Sequence, residues 1–510
     1  MQQQNKLDEA VDAFRRSIKI SQQLDDKRQE ARDLNCLGNV LQQQNQLDEA
    51  VDAFRRQIEI SQQLDDKRQE AIGLNCLAGV LRQQNKLDQA VEAFRCQIEI
   101  SKELDDKDSE ARGLNCLGGV LQLQNKLDEA IDAFHRSVAI QEQFGNQRGL
   151  TITLTSLAAV LREQGDLEEA IKILERITDI EQQLDNKRGI AMTLTTLSAV
   201  LREQGEIEKA ISTLERIIAV EEELNNQEHK SIALTYLAEM LHKKGNFLLE
   251  QKQLDKAREA FKSSYDISEK LGNQKSSAIS LNNIGMILEL QYQWKEAEEM
   301  LKRSQEIYAD LDEIKPLSTA LNTLSRVLMK QQKWNEAEKI LRQCYDLSRK
   351  EEDQRGQAII LNSLGRVLHK QGGEEKYKLA LMFFQESIKL GEQLGDQEHL
   401  AKVYTAMGQA LLAHKNLEEA VIQLIKGFEI DKILKNERGL TIVTSDLTHA
   451  LLKLGKVDEA RMYYKKALAV APNQPKLLNL AQHLTPSPRQ NTKPILKRCP
   501  GSQAQPGNHR

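Results

Sequence analysis

The stretch LNCLGNVLQQQNQLDEAVDAF, residues 34–54, carries two apolar patterns of helical spacing on either side of a short polar break. Leu34, Leu37, Gly38 and Leu41 recur every three or four residues, and Leu47, Ala50, Val51 and Phe54 do so again beyond Asn45. Such spacing puts each set on one side of a helix. Asn45 tolerates the left-handed conformation that closes a helix, and Asp48 and Glu49 suit the positive end of the next. The stretch predicts two amphipathic helices joined by a tight turn.

The pattern is repeated. LNCLAGVL occupies residues 74–81 and LNCLGGVL residues 114–121. The alanine of LDEA returns as Ala10, Ala50, Ala90, Ala130, Ala170, Ala210, Ala257, Ala297, Ala337, Ala380, Ala420 and Ala460. Nine of these eleven intervals are forty residues, and the others are 47 and 43, so the chain is a tandem array with two local insertions. Asn85, Asn125, Gly165 and Gly205 continue the first break, and LDDKR, FGNQR, LDNKR and LGDQE supply a second. Every unit is expected to be a helix hairpin.

Small residues mark where the two helices approach: Gly38, Ala78, Gly118, Ala158, Ser198, Ala238, Gly285, Ser325, Gly365 and Gly408 on the first helix, and the periodic alanines on the second. Four residues after many of those alanines comes a large ring, as at Phe14, Phe54, Phe94, Phe134, Phe261, Phe384 and Tyr464, expected to fill the space between neighbouring hairpins. One hairpin cannot bury such a face alone, so stability must come from stacking.

Composition agrees with long helices: aromatics are 4% and charged residues 29% of 510 residues, and Pro316 is the only proline before residue 470. The net charge of −5 conceals an asymmetry, because nine Lys or Arg and no Asp or Glu follow Glu459, leaving the body at −14. An acidic body argues against nucleic acid as the main partner. No apolar run approaches the ~18 residues of a membrane span, and MQQQNKLDEA lacks a signal-peptide core. Six cysteines, none in a CxxC pair, fit a reducing compartment. A soluble, cytoplasmic chain is expected.

The Leu37-Gly38, Leu77-Ala78 and Leu117-Gly118 pairs, the alanine twelve residues on, the aromatic four beyond that, and Ala467 with Pro472 in the last unit resemble the tetratricopeptide repeats. The resemblance covers residues 1 to about 472. Forty-residue units are longer than the family's common ones and are similar to those of kinesin light chains, LGN-type polarity scaffolds and bacterial regulatory arrays. The resemblance implies an all-α, right-handed superhelix whose first helices line a concave groove, acting as a non-enzymatic scaffold or adaptor for a protein or peptide.

Cys36, Cys76 and Cys116 precede the Leu-Gly or Leu-Ala pairs, one to a first helix. Thiolates on stacked helices stand roughly 8–10 Å apart, whereas zinc needs all its sulfurs near 2.3 Å, so small semi-buried side chains are expected there and no metal. GxxxxGK[ST], HExxH and GxSxG are all missing, and no catalytic residue or cofactor is expected. The Gln-rich runs keep helical register and read as ordered helix.

The position before those cysteines points into the groove if the family geometry holds. It reads Asn35, Asn75, Asn115, Thr155, Thr195, Thr235, Asn282, Asn322 and Asn362. It is either a plain polar surface or a ladder whose amides donate to and accept from a peptide backbone. Along the same face Arg326, Lys330, Arg366 and Lys370 pair at i, i+4 on two consecutive first helices, with Lys402 on the next. They are either solvated charge or a pocket for an acidic segment or C-terminal carboxylate. Arg162 and Arg202 are in similar register but are followed by Glu163 and Glu203.

Met1 aligns with Leu41, so residues 1–28 read as a partial first unit holding only a second helix, which predicts a fragment or a start inside a longer frame. Residues 29–245 form one segment of the array and 246–472 another, divided by seven inserted residues around KKGNFLLEQKQ; either both helices near 240–260 lengthen or a kink forms. KQGGEEKYK is expected to enlarge a hairpin turn. Residues 473–484 read as a capping helix and 485–510 as a disordered basic tail. The alternative to a free-standing scaffold is the ligand-sensing C-terminal portion of a bacterial signalling ATPase.

Overall fold

The computed structural model describes residues 2–484, and the expected tail lies outside the described residues. Among them are twenty-four α-helices and no strand. The chain is an all-α solenoid of hairpins, divided into two compact units, Met1–Asn273 and Gln274–Arg510.

The breaks behave as their residues dictate. Asn45, Asn85 and Asn125 take φ near +60°, and Gly165 and Gly205 reach +92° and +82°. Asn45 N–H donates to Gln42 O and Gln46 N–H to Leu41 O, so carbonyls left open by the helix end are satisfied locally. At the second break Asp26, Asp66 and Asp106 accept from the backbone N–H of Gln29, Gln69 and Ser109 at 3.0–3.1 Å, capping the next helix.

Within a hairpin the close approach is tight. Gly38 stands against Phe54, and a Cβ placed on Gly38 would meet the ring at 2.7 Å. Gly118 with Phe134 and Gly365 with Phe384 repeat this, while Gly285 and Gly408 receive Leu301 and Leu424. The ring therefore packs on the glycine of its own hairpin rather than filling only the gap to the neighbouring one. Phe54, Phe134, Phe261 and Phe384 are completely buried.

Between hairpins the glutamines have a role. Gln44, Gln84, Gln124 and Gln164, each at the end of a first helix, donate to Asp8, Asp48, Asp88 and Asp128 of the preceding second helix at 2.7–2.9 Å. Lys244 continues the column onto Glu208 at 2.9 Å. In Gln274–Arg510 Gln371 keeps the column onto Asn335 at 3.1 Å, and one hairpin earlier Glu298, three residues further along its helix, accepts from Lys302, Lys333 and Gln331 at 2.6, 2.8 and 2.9 Å.

The two insertions differ from expectation. Helix Gln227–Glu250 absorbs all seven extra residues without a break, while the following helix, Leu254–Lys270, keeps the ordinary seventeen. Seven residues turn about 700°, only ~20° short of two full turns, so the apolar face keeps its direction. Gly245, not Ala238, meets Phe261. Ala238 O instead accepts from Ser264 Oγ at 2.8 Å, as Ala111 O does from Ser137. KQGGEEKYK does not enlarge the turn, which consists of Gly372 and Gly373, both at positive φ. The inserted residues lengthen the second helix, Glu374–Leu394, to twenty-one residues. Helix Pro475–Leu484 buries Leu477 and Leu484 against the last hairpin, where Arg461 Nε donates to Leu484 O at 3.0 Å.

Two adjacent glycines give opposite expectations. Gly118→Val overpacks the hairpin against Phe134 and costs about 1–3 kcal/mol, whereas Gly119, with open space around it, gains about 0.5–1 kcal/mol as Ala. Urea titration followed by far-UV circular dichroism reads both.

Burial pushes the Glu298 carboxyl up, but its hydrogen bonds to Lys302, Lys333 and Gln331 outweigh this and bring the pKa to about 2, from 4.5 in the unfolded chain. A carboxylate depressed on folding stabilises the fold above its unfolded pKa and loses that contribution as pH falls through the folded one. Glu298→Gln is therefore expected to be less stable than the parent above pH 4.5 and to converge with it as pH falls toward about 2, measured as urea midpoints across that range.

Candidate binding cleft

In unit Gln274–Arg510 the first helices Ile314–Lys330, Gln354–Gln371, Gln397–Ala413 and Glu437–Lys453 present equivalent turns side by side. Residues four apart on a helix lie one above the other. Arg326 with Lys330 and Arg366 with Lys370 accordingly line a single cleft of about 730 Å³. Lys415 and Lys453 join them, and the acids at its wall are Glu289 and Asp446.

These charges are not equivalent. Arg326 is held by Glu289 through two hydrogen bonds, Nε to Oε1 at 3.1 Å and Nη2 to Oε2 at 2.5 Å, and its charge is largely spent there. Asp446 accepts from Gln409 at 2.8 Å, and burial pushes its carboxyl pKa up. Arg366 and Lys370 are exposed and have no ion-pair partner among the described residues. Lys330, Lys415 and Lys453 are likewise exposed and without an ion-pair partner among the described residues, so these five cations share the free positive charge of the cleft.

Aromatic groups border the cations. His369 is half-buried, its Nδ1 has no hydrogen-bond partner among the described residues, and burial together with Lys370 and His414 lowers its pKa to about 4. It is neutral at physiological pH, so Lys and Arg supply the field there rather than His369. Tyr377, at the register position of Leu47 and Trp334 and directly after the added turn 374–376, stacks on His414 with centroids 3.6 Å apart. A smaller cleft of about 460 Å³ shares Arg366 and Gln409 with the first and adds Asn362 and Lys402. Lys402 is paired with Glu398 at 2.7 Å.

The asparagines divide in the same way. Asn75 is exposed, Asn35, Asn115, Asn282 and Asn322 are half-buried, and Asn362 is buried at 9%. The Oδ1 atoms of Asn35, Asn115, Asn282 and Asn362 are buried without a hydrogen-bond partner among the described residues. Such acceptors are uncommon in a folded chain. In Met1–Asn273, Arg162 is paired with Glu203, and Arg202 lies 3.8 Å from Glu239 and over the Tyr236 ring. Both arginines are thus engaged by their own array.

Cys36 is exposed, and Cys76 and Cys116 are half-buried. Burial raises the Cys76 thiol to about 11 and the Cys116 thiol above its ordinary value. No group of three or more His, Cys, Asp or Glu side chains among the described residues is arranged to hold a metal ion. No helix among them is long and apolar enough to cross a membrane.

Sequence reasoning missed Lys415, Lys453 and Trp334 at the cleft. Lys453 belongs to the column of Lys330 and Lys370, but Ala413 interrupts it after the shifted interval. Lys415 arrives from a turn residue at φ +62° and has no periodic signature.

No curated protein matches the chain. Solved structures similar to it include BtubC (BKLC) from P. vanneervenii, at 18% identity, 43% of this chain, 92% of that one and a TM-score of 0.39. The apo form of RapI matches at 14% identity over 56% of this chain and 99% of that one, with a TM-score of 0.31. A chain of the APC/C hetero-tetramer Cut9-Hcn1 matches at 14% identity over 93% and 96%, with a TM-score of 0.36. The tetratricopeptide-repeat models match residues 1–63, 69–146, 149–223, 236–310 and 316–376, with a further match at 447–474. With glycine-on-ring hairpins stacked at a forty-residue period and these matches over most of its length, the chain belongs to the tetratricopeptide-repeat family.

Proposed function

We propose that this chain is a non-enzymatic interaction scaffold of the cytoplasm that captures a partner polypeptide on the faces of its first helices, and that the basic cleft takes an acidic segment or a C-terminal carboxylate. The observation that carries this reading is the convergence of Lys330, Arg366 and Lys370 on one cleft, with Lys415 and Lys453 beside them, in a chain whose net charge is −5. Cations gathered against an acidic background repel one another unless an anion shares the space. Guanidinium binds a carboxylate through two parallel hydrogen bonds, and lysines add point charge around it.

The asparagines support the same reading. An amide that turns its oxygen inward offers its NH₂ to a peptide carbonyl, and Asn362 lines the smaller cleft next to Arg366. Arg326 contributes less than its position in the sequence implies, because Glu289 already holds it.

Fluorescein-labelled hexaglutamate is the direct probe, read by fluorescence anisotropy on the full chain. Arg366→Glu with Lys370→Glu should weaken binding by about tenfold or more, with helicity and the melting curve unchanged. Glu289→Gln releases Arg326 and should strengthen binding. Undiminished binding by the double variant removes this cleft from consideration.

A further inference from the structure

A second surface, within Met1–Asn273, has the opposite chemistry. First helices Gln147–Gln164, Lys187–Gln204 and Gln227–Glu250 place Ile152, Met192 and Ile232 at one register position, and these side chains are 61%, 74% and 47% exposed. Of the three earlier units, two carry Arg32 and Arg112 there and the one between them carries Ile72. One turn along, the same three helices replace the asparagine with Thr155, Thr195 and Thr235. Only from residue 147 onward do three consecutive repeats combine an exposed aliphatic residue at the first position with a threonine at the second.

Ile152, Met192 and Ile232 line a groove of about 590 Å³ whose walls are also built by Leu174, Leu214 and Ile217. Large exposed aliphatic groups that share a groove, rather than being scattered singly, mark a surface that another molecule covers. The groove also holds an unmet polar demand. Glu221 lines it and is 2% exposed, its Oε1 lies 3.3 Å from His229 Nδ1, and its Oε2 has no hydrogen-bond partner among the described residues. Glu181, one repeat earlier, is 7% exposed and accepts from Asn186 at 2.6 Å. Arg188 also lines the groove, exposed and without an ion-pair partner among the described residues.

A buried carboxylate oxygen without a donor is costly, and a ligand that brings an N–H donor or a positive charge relieves that cost. We infer that this groove is a second docking site, which takes a peptide segment with aliphatic side chains along Ile152, Met192 and Ile232 and a lysine or arginine reaching toward Glu221. The inference rests on the reading that first-helix faces capture polypeptides, but it concerns a different unit and a ligand of different charge. The chain then holds two unlike segments at once, an acidic one in the basic cleft and an aliphatic, basic one here.

The test pans a random dodecamer peptide library on phage against the full chain carrying Arg366→Glu and Lys370→Glu, so that the basic cleft is silent. Enriched clones are expected to combine at least two aliphatic residues with a lysine or arginine. A synthetic peptide from them should lose about tenfold or more in affinity with Met192→Asp. It should also weaken with Glu221→Gln, and with replacement of its own basic residue by norleucine. Met192 is 74% exposed, so its replacement leaves the fold intact, checked by the melting curve. No enrichment, or binding unmoved by Met192→Asp, overturns the site. Binding unmoved by both Glu221→Gln and norleucine overturns the assigned ligand. Hexaglutamate reports separately on the basic cleft, so either reading can fail while the other stands.

Discussion

The structure depends on the approach of two helices across one small residue. At Gly38, Gly118 and Gly365 there is no room for a Cβ, because the partner helix drives a phenylalanine ring into that space. The ring gains complete burial, worth roughly 1.5–3 kcal/mol, and the glycine gives up helix propensity to allow it. A hairpin made this way still leaves an apolar face open on each side. Its neighbours cover those faces, which is why the same solution is copied along the chain.

Stacking is then adjusted by polar contacts that the repeat carries with it. The glutamine at the end of each early first helix reaches an aspartate in the first turn of the preceding second helix, and Glu298 does comparable work with two lysines. These contacts lie near the helix ends, away from the exposed positions of the middle turns, whose residues differ from unit to unit. Function can vary there without cost to the scaffold. The basic cleft of one unit and the apolar groove of the other use that freedom in opposite ways.

The insertions show how an array accepts extra residues. Seven residues enter helix Gln227–Glu250 as two turns, so Ala238 and Gly245 each find a role against the next helix. Three residues enter at the start of Glu374–Leu394 as a turn that precedes Tyr377, which stacks against His414. In both cases the helix lengthens rather than the loop, because an added turn makes its own backbone hydrogen bonds whereas an added loop must find others.

Sequence alone determined the repeat, its two helices, the left-handed turn residues and the glycine positions, since each follows from spacing and local backbone chemistry. It also placed Arg326, Lys330, Arg366 and Lys370 on one face, because i, i+4 spacing is a property of a single helix. Only tertiary structure decided which of those charges are free. Glu289 lies thirty-seven residues before Arg326 and meets it through stacking, and the Asn362 amide sinks into a cleft that four helices build. Pairing and burial belong to the space between hairpins, and that space forms only when the hairpins are stacked.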